Sequence, residues 1–366
     1  MDICNIGIFF VLSILLFEFC PFSFWIKMAT PIKHILPGVI MTFFKKKYIC
    51  RAGLLAILVL AIFFSGPRVD LNTTLHPLVL PSDLDTYLAR KEAAYNDIVP
   101  GTEKKIVWAQ APGEQTPLAI VYVHGFSASR QDTAPLAASV AAQLRANLYS
   151  TRLSGHGRGS EAMLEGSVNS WLDDMHEAME IGKRLGRRVV IMGCSTGGTL
   201  AVWQAAQSDR DEIAALVLLS PNFGPADRRT EILIWPWGAQ LAELLVGKTR
   251  SWKPVNEAHG RYWTNSYPVR ALLPMMGLVK LTRSLDLQTI KTPTLVIYAP
   301  DDKTVDTTAI ITAFQKIGAE EKKLVVYAQA GDPSRHVLAG DILSPDSTEP
   351  LARMIVDFLA GLHGGS

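Results

Sequence analysis

Short apolar runs rich in β-branched residues recur along the body of the chain and alternate with stretches whose apolar residues return every three to four positions. The first kind predicts strands at residues 106–110, 119–123, 146–151, 189–192, 215–219, 294–298 and 323–327. The second predicts helices at 134–144, 171–185, 196–207, 307–317 and 350–362. Most of the strands are apolar throughout, as strands covered on both faces must be. The whole reads as an α/β fold, a mostly parallel sheet flanked by helices. The alternation fails between residues 222 and 291, where Trp235, Trp237, Trp252 and Trp263 stand among Leu and Met. An inserted helical cap is expected there, at 225–290, dividing the core into a first part at 68–224 and a second at 291–366. Its tryptophans either line an apolar pocket or form the cap's own core and seal it to the sheet.

Residues 1–67 follow another pattern. Apolar runs occupy 6–25, interrupted by Glu18, and 52–64. The first has no Lys or Arg before it, unlike an export signal, although its length suffices for a bilayer. The second follows Lys45, Lys46, Lys47 and Arg51, as the apolar core of a signal or signal anchor does. Met28 and Met41 are candidate starts. Six Lys or Arg between Lys27 and Arg51 predict that this segment stays cytoplasmic and that the body after Pro67 faces the periplasm or exterior. Phe63, Phe64, Ser65, Gly66 and Pro67 offer no clean cleavage site, so an uncleaved membrane anchor is expected. The alternatives are secretion after cleavage and, for both runs, core helices of a soluble protein.

Composition narrows the function classes. The chain of 366 residues is 48% hydrophobic, enough for a large core, and its 36 basic and 34 acidic residues leave a net charge of +2. No basic excess is available to neutralise a run of phosphates, so nucleic acid is not an expected partner. Cys4, Cys20 and Cys50 lie in or beside the apolar N-terminal runs and Cys194 stands alone in the body, so neither a disulfide framework nor metal-ligand spacing is present.

Chemistry concentrates where the strand at 189–192 runs into the helix at 196–207. Gly193-Cys194-Ser195-Thr196-Gly197 is a Gly-x-Ser-x-Gly, and Gly198 follows it. Such a turn holds its serine in a strained conformation, and side chains at 193 and 197 would collide with the neighbouring strand and helix. The motif alone is a weak signal; a strand before it and a helix after it make it a nucleophile elbow presenting Ser195. The N–H of Thr196, at the helix start, suits a developing oxyanion. After the strand at 119–123 comes His124-Gly125-Phe126-Ser127, whose Phe126 N–H is the second candidate donor. His124 precedes the elbow and is read as shaping this loop.

A serine hydroxyl needs a histidine base and an acid that fixes the tautomer. Asp301-Asp302 follows the strand at 294–298, and His336 follows the strand at 323–327, with His363 further on in the tail. Asp302, three residues before Val305, is the expected acid; Asp301 is the alternative, or a helix cap. Asp332 is read as a turn residue.

These residues resemble the α/β-hydrolases, in particular the capped monoacylglycerol lipase and carboxylesterase group, over 105–362. Leu153-Ser154-Gly155-His156-Gly157 parallels that group's Pro-Gly-His-Gly loop, so His156 is read as loop-shaping. Cys194 and Ala299 depart from residues frequent in the group. The resemblance implies an α/β-hydrolase fold with an inserted cap, a carboxylic ester substrate, Ser195, Asp302 and His336 as triad, and no cofactor or metal. It is consistent with a serine esterase or lipase acting on a small-molecule ester with an apolar acyl or aryl chain. Oligomeric state is not readable. Acyl transfer, thioester, amide or lactone cleavage and cofactor-free haloperoxidation share this machinery; a non-catalytic binding module is the reading from another class.

Overall fold

The computed structural model describes residues 37–208 and 212–362, with side chains from residue 48 onward. The apolar run at 6–25, the candidate start Met28 and His363 lie outside them. Two compact units are present, 1–67 and 68–366. The first contains helix α1, Pro37–Phe64, which ends where Ser65 N–H and Oγ bond the carbonyls of Ala61 and Ile62 and Pro67 follows. Leu54, Ile57, Leu58, Leu60 and Phe64 are exposed, so α1 shows apolar side chains on several faces. Among the described residues no helix is long and apolar enough to cross a membrane. The expectation of a spanning anchor therefore finds no support there. The thirteen apolar residues at 52–64 rise only about 20 Å as a helix, against ~30 Å of hydrocarbon.

The second unit runs α2 (Leu84–Glu92), β1 (Lys105–Val107), β2 (Thr116–Val123), α3 (Leu136–Leu144), β3 (Asn147–Ser150), α4 (Val168–Leu185), β4 (Gly186–Cys194), α5 (Thr196–Gln207) and β5 (Ile213–Leu219). It continues with α6 (Gly238–Val246), β6 (Thr249–Ser251), α7 (Glu257–Tyr262), β7 (Ser266–Pro268), α8 (Leu272–Arg283), β8 (Thr294–Tyr298), α9 (Thr307–Lys316), β9 (Lys322–Val326) and α10 (Pro345–Gly361). Seven strands form one sheet in the order β1-β3-β2-β4-β5-β8-β9, parallel except for β1 against β3.

The side-chain period of two divides each central strand between two cores. Ala119, Val121, Val123, Val189, Ile191, Leu216, Leu218 and Val296 face α4, α5 and α8. Their neighbours Leu118, Ile120, Tyr122, Val190, Met192, Val217, Leu219, Leu295 and Ile297 face α3 and α10. Burial on both faces is why these strands read as unbroken apolar runs.

Several boundaries differ from expectation for local reasons. The first strand stops at Val107 because the Asn147 side chain, not a strand, accepts the Ala109 N–H at 2.8 Å. Helix α4 starts three residues early, where Ser167 and Ser170 cap each other reciprocally. Helix α10 begins at Pro345, which suits a first turn as well as Pro350 does. The stretch expected to be a helical cap holds α6, α7 and α8, but also an antiparallel ladder, β6 against β7, which the sequence reading missed.

Buried charges tie α2 and the approach to β1 onto α4. Lys104 bonds Glu177 and lies 3.3 Å from Asp174; Lys91 and the Tyr87 hydroxyl each reach Glu177 at 2.5 Å; Arg152 grips Glu92 with two bonds of 2.9 Å. Burial alone would raise the Glu177 carboxyl, but Lys104 and Lys91 outweigh it and hold it at about 2. Its stabilising share is present above its ordinary value of 4.5 and is lost as pH falls toward 2. Replacing Lys104 by Met takes from buried Asp174 its ion-pair partner and leaves Glu177 only Lys91 as a cation, and is expected to cost about 3 kcal/mol. Urea unfolding near neutral pH measures this, and an unchanged midpoint would show that the cluster does not sustain the fold.

Candidate active site

Ser195 occupies the junction of β4 and α5 at φ 51°, ψ −115°, a conformation few non-glycine residues adopt. The turn exists because its glycines allow backbone to meet backbone. A Cβ on Gly197 would fall 2.0 Å from the Val123 carbonyl oxygen, and one on Gly193 would fall 2.5 Å from the Gly197 carbonyl. Hydrogen bonds secure the strained residue. Ser195 N–H donates to Leu219 O at 2.9 Å, and its carbonyl accepts from the N–H groups of Gly198, Thr199 and Asn222.

The structure brings His336 and Asp302 together. Nδ1 of His336 lies 2.8 Å from Oδ2 of Asp302, whose side chain is fully buried, while Oδ1 accepts from the N–H groups of Thr304 and Val305. With Nδ1 facing a carboxylate, the proton belongs on Nδ1 and Nε2 is left as the basic nitrogen. Asp301 points away: it is 58% exposed and its partner is Arg335 at 3.5 Å. Asp332 is more than a turn residue. Its Oδ2 accepts the N–H groups of His336 and Val337, so it aims the backbone of the histidine that Asp302 aims by its ring. Burial raises the Asp332 carboxyl, but these donors and Ser334 outweigh it and keep it below the ordinary range.

The loop after β2 lies against the nucleophile: a Cβ on Gly125 would stand 3.2 Å from that of Ser195. Neither the Phe126 nor the Thr196 backbone N–H donates to a protein acceptor among the described residues. His124 is a loop-shaping residue here. Leu153 N–H donates to its Nε2 at 3.0 Å, which leaves Nδ1–H to bond Gly125 O at 2.9 Å. Burial, with His156 and Arg152 adding to it, pushes this imidazole down to about 3, so it stays neutral. His156 is likewise buried and pushed down to about 4, and it packs with Phe126 and Trp171 at ring separations of 5.6 and 5.5 Å.

The aromatic residues of the 225–290 stretch divide. Trp252 and Trp263 sandwich His259 at 4.6 Å each and pack with Ala128 and Val337, beside the two catalytic-site loops. Trp235 is exposed. Two polar residues near the serine escaped the sequence reading. Asn222 donates its N–H to Ser195 O and its side-chain amide to Met275 Sδ of α8. Asp132 sits buried behind Gly125. Neither carries a spacing that separates it from an ordinary loop residue. Among the described residues, no group of His, Cys, Asp or Glu is arranged to hold a metal.

Known proteins agree with this geometry. The thermostable monoacylglycerol lipase of Bacillus sp. (strain H-257) is 25% identical over 212 residues, which are 58% of this chain and 81% of that one. In three dimensions the chain is similar to a metagenome-derived lipolytic enzyme, with a TM-score of 0.59 and 22% identity over 72% of this chain and 99% of that one. It also resembles a soluble variant of monoglyceride lipase from Saccharomyces cerevisiae, with a TM-score of 0.52 and 14% identity over 71% and 91% of the two chains. At these identities the two structures speak for the α/β-hydrolase fold alone. Residues 114–336 match the family described as serine aminopeptidase, S33. That match spans more than half of the chain and closes on His336, and by it the protein is a member of this family of α/β-hydrolases.

Proposed function

We propose that the protein hydrolyses carboxylic esters through an acyl-enzyme on Ser195. The observation that carries this reading is the 2.8 Å bond from His336 Nδ1 to a fully buried Asp302, in a chain whose strained elbow between β4 and α5 presents Ser195. His336 Nε2 takes the proton of Ser195 as Oγ attacks the ester carbonyl. The Phe126 and Thr196 N–H groups hold the oxyanion, and Asp302 stabilises the imidazolium. Collapse expels the alcohol with the proton from His336, and water activated by the same nitrogen releases the acid. The substrate is an acylglycerol or a short-to-medium acyl ester, in keeping with the tryptophan-bearing stretch between β5 and β8 and with the lipases the chain is similar to.

The apolar end of α1 inserts into a membrane, where local thinning of the bilayer and snorkelling of the flanking Arg51 make up for its short apolar run, and the body lies on the periplasmic or exterior side. Exposed Leu54, Ile57 and Leu60 need a cover that water does not supply, and the basic residues before them favour the cytoplasmic side.

Three measurements check these points. A ladder of nitrophenyl esters from acetate to palmitate is cleaved by the wild type and not by Ser195→Ala; wild-type inactivity toward all of them would remove the esterase reading. Asp302→Asn lowers kcat on the order of 10⁴-fold at unchanged folding, by analogy with other triads, whereas Asp301→Asn stays near wild type; the reverse order would move the acid to Asp301. The full chain resists carbonate extraction and is digested by protease added to intact cells, while a chain beginning at Arg68 is extracted. Recovery of the full chain in the soluble fraction would refute the membrane assignment.

A further inference from the structure

The loop between β2 and α3 must present one N–H, that of Phe126, in one direction, and its own backbone is not relaxed: Ser127 sits at φ 59°. The peptide linking Gly125 to Phe126 is planar, so the Phe126 N–H points opposite to the Gly125 carbonyl. That carbonyl is held by His124 Nδ1 at 2.9 Å and by the Ala128 N–H at 3.3 Å. The other side of Gly125 is held by a group with no role assigned so far. Asp132 Oδ2 accepts the Gly125 N–H at 3.0 Å, and its Oδ1 accepts the Thr133 N–H at 2.8 Å. One carboxylate thereby closes the two ends of the loop onto each other. It is itself fixed by the Tyr122 hydroxyl from β2. Thr133 Oγ1 in turn donates to the Tyr122 hydroxyl oxygen at 2.7 Å.

We propose that Asp132 is the positioning residue of the oxyanion site: by fixing both ends of the loop it sets the direction in which the Phe126 N–H meets the reacting oxygen. The inference rests on the acyl-enzyme reading of Ser195. Asp132 touches no substrate atom in this role. It acts through Gly125, and a loop with this tie cut keeps its sequence and loses its aim. The loop is also braced from the histidine side. A Cβ on Gly340 would fall 2.8 Å from Thr133 Cα, and the Asp341 N–H donates to Ala134 O at 2.9 Å. Asp132 therefore stands where the oxyanion loop, the elbow residue Cys194 and the loop carrying His336 converge. Burial pushes its carboxyl up to about 6, against the pull of Tyr122, Gly125, Thr133 and His336, so near neutral pH it is a carboxylate and a strong acceptor.

The test needs no natural substrate. Full-length protein is treated with a fluorophosphonate, whose P=O oxygen occupies the oxyanion site as Ser195 Oγ displaces fluoride, and with the matching thiophosphonate, whose P=S sulfur is a poor acceptor. Mass spectrometry of the Ser195 peptide gives both rates. Asp132→Asn is expected to slow the P=O reaction by about tenfold or more and the P=S reaction far less, given that one oxyanion donor is worth 10²–10³ in rate. Tyr122→Phe keeps the carboxylate and removes one of its anchors, so it should lower the P=O to P=S ratio in the same direction by a smaller factor, about twofold to fivefold on that scale. This second variant carries the test if Asp132→Asn does not fold. Equal slowing of both reagents, or an unchanged ratio, overturns the proposal, since a merely structural role slows both alike. Failure of the wild type to be modified at Ser195 by either reagent would instead bring down the acyl-enzyme reading itself.

Discussion

The site depends on one close approach of backbone to backbone. With the Gly197 Cβ position only 2.0 Å from the Val123 carbonyl oxygen and 2.8 Å from that of His124, the first turn of α5 lies directly on the exit of β2. No side chain fits between them. That approach brings the start of α5, which carries Thr196, against the loop leaving β2, which carries Phe126, so these two segments become neighbours through packing of the sheet. The strain at Ser195 costs about 1–3 kcal/mol. It is offset locally by the hydrogen bonds of the Ser195 backbone, one from its N–H to Leu219 and others to its carbonyl from Gly198, Thr199 and Asn222. Those from Gly198 and Thr199 are the first turn of α5 itself, and those of Leu219 in β5 and Asn222 just after it tie the elbow to the neighbouring strand.

A second layer holds the first. Two buried imidazoles, His124 and His156, lie 5.2 Å apart and stay neutral because burial disfavours the charged form. Neutrality lets His124 accept at Nε2 and donate at Nδ1, which ties the loop at 153–157 to the oxyanion loop. From there the connection continues through the Trp171 indole, which donates to Ser154 O, and the Ser154 N–H, which donates to Asp174. Asp174 belongs to the ionic cluster around Lys104. On this side of the loop carrying Phe126 the Lys104 cluster is thus reached only through neutral hydrogen bonds and aromatic packing.

Much of this was legible in the sequence, and the reasons are physical. Strands buried on both faces leave unbroken apolar runs, and an elbow that tolerates no Cβ at 193 and 197 leaves glycines. The acid and base stand just after strands because the carboxyl ends of a parallel sheet face one way. What could not be read depends on tertiary contacts. Asp301 and Asp302 differ in sequence by one position and in space by everything that counts, one paired with Arg335 in solvent and the other buried against His336. The β6–β7 ladder is three residues a side, exposed in β6 and with Tyr267 alone buried in β7, too short to carry a periodicity. Asp132 looks like any loop acid until Gly125 and Tyr122 are seen to converge on it.

Cys194 shows what the same charges do to a neighbouring thiol. A thiol beside the elbow would compete with Ser195 if it ionised. Burial raises its pKa well above the ordinary value, and Asp132, Asp302 and Asp332 raise it further. The three carboxylates meanwhile do separate work: one closes the oxyanion loop, one orients the imidazole ring, and one orients the backbone that carries it. An environment this negative disfavours a thiolate. It therefore keeps the sulfur beside Ser195 as a neutral, buried thiol, although the residue stands directly at the elbow.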